Sequence, residues 1–570
     1  QIGHMYMRYF MWNFSGRQND IEGHGGIRYG NWISGIPFID NPRLGDQSNL
    51  PPSMDNWARN KFYMLPLILG LLGMYFHFKK HFNGALLVLL LFFMTGIAIL
   101  VYLNITPQQP RERDYAFAGS FYAYAIWIGL GVMALWDALK KINEKAIAIV
   151  VTLVCLLLVP GLMAKDGWND HDRSGKYACR DFAADYLNSC APNAILITNG
   201  DNDTFPLWYA QEVEGIRKDV RVVNFMLASG DWYVHQLKRK IYDSDLLPMT
   251  LRYDQYDKGV NEVVAYTGSY NDRIELQDMI DYIASDDPGT KYQSGDRSIS
   301  IFPTKKVKIT VDTANLVKDG IVPQELAGKI VPEVTWDIKS NYLYKNDLML
   351  LDFLAKNKFR RPVYFSSPSS INDAVNVDKY CFQEGFVYRF LPAMNDTGDY
   401  VPGLGSVNSE ASFDILLHKC KWGNLNDPKV YVDRESYRNV MIPKQNLARL
   451  ARKLSQEGKF DKAVQVCDYV QKIFPDEKIH FDYYMIQFVE SYYMAGAYDK
   501  GNKLAEKLVN TYEQNTAYIA SLEPQFRANY EDDLNQAMGF FGALQQIAEQ
   551  YKQEKISKHV EAFLNRTMGK

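Results

Sequence analysis

Residues 84–104 read GALLVLLLFFMTGIAILVYLN, a run with no Lys, Arg, Asp or Glu. At 1.5 Å per residue a helix of this length crosses a hydrocarbon core of about 30 Å. Three more charge-free windows flank it: 62–78 (FYMLPLILGLLGMYFHF), 115–136 (YAFAGSFYAYAIWIGLGVMALW) and 146–164 (AIAIVVTLVCLLLVPGLMA). Buried core helices of a soluble protein would not give four such runs in succession with charged turns between them. The reading is an α-helical transmembrane bundle of about four spans, of which 62–78 is the shortest.

The rest of the chain is different in kind. It has 570 residues, 47% hydrophobic and 14% aromatic, yet a mean hydropathy of −0.26. A short, very apolar region is therefore diluted by a long soluble one, and three or more structural units are expected. The net charge of −3 offers no basic field, so nucleic acid is excluded as a partner. Six cysteines without a Cys-x-x-Cys spacing exclude a disulfide scaffold, a zinc ribbon and a thioredoxin-type site. Cys179 and Cys190 would stand about 16 Å apart on a continuous helix, too far to bridge, whereas Cys381 with Cys420 stays open in an oxidising compartment. Residues 1–13 carry no signal-peptide features and read as the continuation of something already under way. The sequence is thus expected to be the C-terminal portion of a longer protein.

Orientation comes from the short loops. Lys79, Lys80, Lys140, Lys141 and Lys145 fall on one side by parity, which the positive-inside rule makes cytoplasmic. The loops 14–61 and 104–114, and everything after Lys165, then face outward. For a bacterial cell this gives a multi-pass inner-membrane protein with a large periplasmic C-terminal region.

The outward loops carry the candidate chemistry. PQQPRERDY (107–115) sets Arg111, Glu112, Arg113 and Asp114 at the membrane surface, with Pro107 and Pro110 preventing either helix from continuing. Guanidinium groups suit bidentate contact with phosphate. Arg111 and Arg113 are therefore candidates for gripping a lipid phosphate, with Glu112 or Asp114 acting on an acceptor; the alternative is an Arg–carboxylate cluster that ties two helices together. In the long loop 14–61, Asp20 and Glu22 are candidate catalytic carboxylates and Arg17 a candidate substrate ligand. His24 has no second His at ligand spacing, so a structural role is expected for it.

Beyond Lys165 an α/β pattern begins. AILIT (194–198) and RVVNFM (221–226) read as buried strands flanking a helix at 204–215, a βαβ unit with a parallel sheet. The turn Gly200-Asp201-Asn202-Asp203-Thr204 lies where ligands bind in open α/β sheets, so Asp201, Asn202 and Asp203 are candidate binding residues; helix capping is the competing account. Their Asp-x-Asp spacing also suits the metal of nucleotide-sugar transferases. Such donors are not expected outside the cytoplasm, and no metal is called for. Further strands are expected near 299–303, 306–311, 333–338 and 362–367, with a helix at 345–357. From about 441 the chain is all-helical, and GKFDKA (458–463) recurs as GAYDKG (496–501), a period that resembles tetratricopeptide-like hairpins and offers a protein-partner surface. The expected organisation is 1–61 partial helix and outward loop, 62–164 spans, 165–440 periplasmic α/β domain, and 441–570 helical repeats.

Four blocks, RYFMWNFSGRQNDIEGHGG (8–26), NWISGIPFID (31–40), QPRERDYAFAGSFYAYAIWIG (109–129) and GDNDTFPLWYAQEVEGIRKDVRVVNF (200–225), resemble a bacterial family of large membrane proteins related to animal protein O-mannosyltransferases of the GT-C class. The resemblance implies a glycosyltransferase that takes a sugar, mannose in the related enzymes, from a polyprenyl-phosphate donor and places it on Ser or Thr of exported proteins. Its partners would be the lipid-linked sugar, the exported acceptor and the membrane. It also implies a catalytic acid in an outward loop upstream of Gln1, so this chain departs from the family pattern by lacking it. The reading from another class is a non-enzymatic envelope scaffold that binds exported proteins through its periplasmic and helical-repeat regions; transfer of a labelled sugar to a Ser/Thr peptide separates the two.

Overall fold

Apolar runs fold as helices in a hydrocarbon layer because their main-chain groups have no water to bond and must satisfy one another within the segment. The computed structural model describes residues 2–568 apart from 295–296, 372 and 395–397. Among the described residues, three helices are long and apolar enough to cross a membrane: Phe82–Leu103, Asp114–Leu139 and Glu144–His171. The expected count of four is thereby corrected. Tyr63 and Met64 take left-handed backbone (φ 53° and 58°), so the helix starts only at Leu65, with a proline in its first turn, and ends at Lys80 after 16 residues. At 1.5 Å per residue it reaches about 24 Å, short of a core of about 30 Å. Its start is delayed because the preceding Asn60–Lys61 is committed to an antiparallel pair with Gly16–Arg17.

This short helix still packs tightly on its neighbour. A Cβ at Gly73 would fall 1.8 Å from the Trp127 carbonyl oxygen, and one at Gly131 would fall 2.1 Å from that of Leu69. Small residues here let two backbones approach closely, the usual source of helix association in lipid. At the far end Lys80 pairs with Asp137 at 3.1 Å, so both Lys-rich turns lie on one side of the bundle. The N-terminal helical stretch Gly3–Phe14 completes the packing: Tyr6 and Tyr9 are buried, and the Tyr6 hydroxyl meets Ser120 Oγ at 2.6 Å.

The helix Glu144–His171 runs past its apolar window. Its protruding end carries the hairpin formed by Gly16–Arg17 and Asn60–Lys61: Asp166 accepts the Lys61 amide at 3.1 Å, and Asp170 accepts Asn60 Nδ2 at 3.3 Å.

The soluble region is built on a six-stranded sheet in the order Ser406–Val407, Cys381–Glu384, Val387–Phe390, Val363–Phe365, Ile195–Thr198, Arg221–Asn224. The last two run parallel, Ile195 opposite Arg221, joined through the helix Asp201–Glu212, which is the expected βαβ unit. Strands Lys306–Thr310, Glu333–Asp337 and Arg297–Phe302 belong to two smaller sheets, and Lys345–Asn357 is helical. All six cysteines are free. The open pairing of Cys381 with Cys420 is not made, because Cys381 sits in a fully buried strand and its thiol turns to the Val377 carbonyl at 3.5 Å.

The C-terminal region is helical from Arg434 onward. Gly458 and Gly496, the first residues of the repeated hexapeptide, both take positive φ (72° and 74°) at turns between antiparallel helices, the conformation that makes glycine the natural residue there. These helices fold back on the loop 14–61. Arg28 pairs with Asp533 at 2.5 Å, the Tyr518 hydroxyl donates to the Asp46 carbonyl at 2.9 Å, and Ser53 Oγ meets Asn515 at 2.5 Å.

Candidate functional site

Within Arg111-Glu112-Arg113-Asp114 the side chains part company. Glu112 turns inward and receives both arms of the Arg8 guanidinium at 3.0 and 2.7 Å and the Tyr9 hydroxyl at 2.6 Å. Arg8 is 3% exposed, donates also to the Gly30 carbonyl at 2.6 Å, and lies over the rings of Tyr9 and Trp12 at 4.5 and 4.7 Å. Burial alone would raise the Glu112 pKa, but the bonds and charge of Arg8 and the Tyr9 hydroxyl outweigh it and hold it below the ordinary carboxylate range. Glu22 faces this group. Its own burial, then the negative charge of Glu112, push it up to about 7. Glu112 is therefore a tie between the first helix and the inter-span loop, which is the competing account given for this cluster.

Arg111 and Arg113 turn the other way. Arg113 donates to the Tyr115 hydroxyl at 2.8 Å and to Gln109 Oε1 at 3.3 Å, and Arg111 reaches the same phenol. Arg111 is exposed and Arg113 half-buried. They make a cationic lip at the start of the helix Asp114–Leu139.

Asp114 lines a cavity of about 390 Å³, and Arg17 lines it too. Two of the candidate residues, 97 positions apart in the chain, thus share one wall-to-wall space. Arg17 is fixed there by strand pairing opposite Asn60 and by stacking over the Trp12 ring at 4.0 Å. Asn60, Trp168 and His171 add polar and aromatic surface, while Phe62, Met163 and Ala164 make the side nearest the apolar spans. Met163 and Ala164 end the charge-free window, and Trp168 stands 71% exposed one turn beyond, the level at which tryptophan is favoured between lipid and water. Three polar atoms of the lining residues, Trp12 Nε1, Arg17 Nε and Asn60 Oδ1, are buried without a hydrogen-bond partner. Each such atom costs about 1–3 kcal/mol, which a bound polar group would offset. One face of the space is therefore apolar and the other polar, with Arg17 and Asp114 of opposite charge on it.

The remaining candidates lie elsewhere. Asp20 is held on both oxygens: Oδ1 accepts Asn56 Nδ2 at 3.0 Å, and Oδ2 accepts the Tyr431 hydroxyl at 2.6 Å and the Arg434 amide at 3.0 Å. It joins the loop 14–61 to the C-terminal helices. Asp203 caps its helix, accepting the amides of Asn199 and Gly200 at 2.8 and 2.9 Å and the Ser366 hydroxyl at 2.7 Å. Asp201 and Asn202 are exposed at the same helix start. None of the three lines the cavity at the span exit.

Sequence reasoning passed over Arg8, Trp12, Asn60, Trp168 and His171. Arg8 had a signal, since a lone cation in the aromatic run RYFMWNF must find a partner if that helix is buried. The others have none, because their convergence depends on the hairpin docking on the protruding helix end.

Nothing among the curated proteins or the solved structures matches this chain. Residues 179–411, which take in the whole six-stranded sheet, match the family model described as TMEM260-associated domain 2.

Proposed function

We propose that this chain is the membrane-anchored, outward-facing part of a glycosyltransferase that moves a sugar, mannose by resemblance, from a polyprenyl-phosphate donor to Ser or Thr of exported proteins. Supporting this, the matched domain is named for an animal protein related to O-mannosyltransferases, and the observation that carries it is the cavity holding Arg17 and Asp114 together at the exit of a span. In this reading the polyprenyl tail lies along Phe62, Met163 and Ala164. The Arg17 guanidinium, already stacked on Trp12, neutralises the phosphate. The Asp114 carboxylate takes the proton of the acceptor hydroxyl as its oxygen attacks the sugar C1 and the C1–O(phosphate) bond breaks, with the polyprenyl phosphate leaving. Arg111 and Arg113 draw the anionic donor to the lip of the site, the Lys-rich turns face the cytoplasm, and the C-terminal hairpins serve as tetratricopeptide-like partner surfaces.

The test is direct. In the full-length protein in lipid nanodiscs, Arg17→Ala should weaken binding of radiolabelled polyprenyl-phosphate mannose by tenfold or more. Asp114→Asn should keep binding and lower transfer to a Ser/Thr peptide by about 10²–10⁴, the range of general-base catalysis. Wild-type binding and transfer in both variants would reject the reading and leave the scaffold account.

A further inference from the structure

The cavity shared by Arg17 and Asp114 has a histidine at its mouth. His171 lines the same space, ends the helix Leu162–His171, and has a side chain 75% exposed. Its Nδ1 faces the Gly167 carbonyl at 2.7 Å and Asp170 Oδ1 at 3.1 Å. A carbonyl and a carboxylate only accept, so Nδ1 carries the ring proton and the neutral ring keeps its lone pair on Nε2. Among the described residues Nε2 meets no hydrogen-bond partner. The ring is therefore fixed on one side and available as a base on the other.

Asp170 sets this arrangement. Its carboxylate is 3% exposed, and its Oδ2 accepts Nδ2 of Asn60, another residue of the cavity wall, at 3.3 Å. Among the described residues its ion-pair partner is His171. A buried carboxylate without a permanent cation gains when the imidazole beside it takes up a proton. The C-terminal end of the helix, where positive charge is favoured, adds to that gain. The other charged groups near the ring are Arg173, which donates to the Asp170 main-chain carbonyl at 2.7 Å and repels an imidazolium, and Arg17 and Asp114 on the cavity wall. A carboxylate that fixes the tautomer of a histidine and steadies its charged form is the arrangement by which such pairs move protons.

We infer that His171 clears the proton from the site, receiving at Nε2 the proton that Asp114 removes from the accepting hydroxyl and releasing it to bulk water. This rests on the function proposed above and assigns that reaction a further residue. The balance requires such a step. A phosphodiester donor with one negative charge and a neutral hydroxyl give a neutral glycoside, a polyprenyl phosphate with two negative charges and one proton. As long as that proton stays on Asp114, the carboxylate cannot serve the next turnover. Free imidazole side chains hold a proton to about pH 6.5 and free Asp carboxyls only to about 3.9, so transfer from acid to ring runs downhill. A space of about 390 Å³ has room for water to carry the proton between them, at about 30 Å³ per molecule.

The experiment uses the full-length protein in nanodiscs with polyprenyl-phosphate mannose and a Ser/Thr peptide. His171→Ala should lower kcat by about 10², the lower end of acid–base effects, with KM and donor binding unchanged within twofold. Free imidazole added to this variant should restore kcat by tenfold or more, which a purely structural role of the side chain would not allow. Asp170→Asn, which presents an N–H where Nδ1–H needs an acceptor, should lower kcat without rescue by imidazole. If Asp170→Asn loses its cooperative melt, the exposed His171→Ala decides. Wild-type kcat in His171→Ala, or a loss that imidazole does not restore, would overturn the inference; with Asp114→Asn inactive in the same assay, the transferase would stand without it. Wild-type kcat in Asp114→Asn would reject the proposed base and this step together.

Discussion

Arg8 and Glu112 stand 104 residues apart in sequence and meet through two parallel N–H···O bonds at 3.0 and 2.7 Å. The pair closes the first helix onto the loop between two spans, and the Tyr9 hydroxyl completes it. Removing one partner of a buried ion pair leaves the other uncompensated at about 3–5 kcal/mol. Arg8→Ala should therefore lower the thermal midpoint in detergent sharply, and Glu112→Gln, which can still accept from Tyr9, should lower it less. Equal midpoints for Arg8→Ala and wild type would show that the tie contributes nothing.

Glu22 gives this region a pH dependence. Its pKa in the folded protein, about 7, lies above its ordinary value, so the folded state holds a proton that the unfolded chain releases. The stability it contributes is full below the ordinary carboxylate range and is lost as pH rises toward 7, then levels off. Glu22→Gln should flatten that decline and stabilise the loop at pH 8 by roughly 1 kcal/mol, within the usual span of single substitutions. Amide exchange of residues 20–30 measured from pH 5 to 8 reads this out, and an unchanged pH profile in the variant would contradict it.

Asp20 is the junction between the loop 14–61 and the C-terminal helices. Asp20→Ala strips acceptors from the Tyr431 hydroxyl and the Arg434 amide, each worth about 1–3 kcal/mol when left buried and unpaired. Limited proteolysis should then cut the segment 426–434 several times faster than in wild type while the α/β region stays resistant. Equal cutting rates would mean that other contacts, such as Arg28 with Asp533, hold the two parts together without it.

The contact between helices Leu65–Lys80 and Asp114–Leu139 should tolerate no side chain at Gly73, where a Cβ would meet main chain at 1.8 Å. Gly73→Leu should cost 3 kcal/mol or about that, the upper end of overpacking effects, and reduce the folded yield. Gly129→Ala, on the partner helix Asp114–Leu139 and with nothing within 4 Å of an added Cβ, should be neutral or slightly stabilising. Identical yields for the two would dissolve the distinction.

Much of this architecture is written locally. Runs such as 84–104 and 146–164 are helical in lipid whatever surrounds them, because backbone satisfaction leaves no other option. The strands around Ile195 and Arg221 follow from short apolar runs bounded by Gly and Pro, and the glycines at 458 and 496 mark turns that need positive φ. The shortfall at 62–78 was not local. Hydropathy sees seventeen uncharged residues there, but the pairing of Asn60–Lys61 with Gly16–Arg17 fixes where the helix can begin.

The candidate site divides in the same way. Composition alone selects Arg17, Asp20, Arg111, Glu112, Arg113 and Asp114 as charged groups in the loops beside the apolar helices, and it cannot rank them. Tertiary structure does the ranking by deciding each partner: Glu112 is engaged by Arg8, Asp20 by Tyr431, and Asp203 by its own helix start, whereas Arg17 and Asp114 are left facing one cavity. Local sequence determines which segments become helix or strand, since those choices rest on nearby backbone and solvent. Which charges are tied up and which stay available depends on contacts between residues up to hundreds of positions apart, and only the folded chain brings those together.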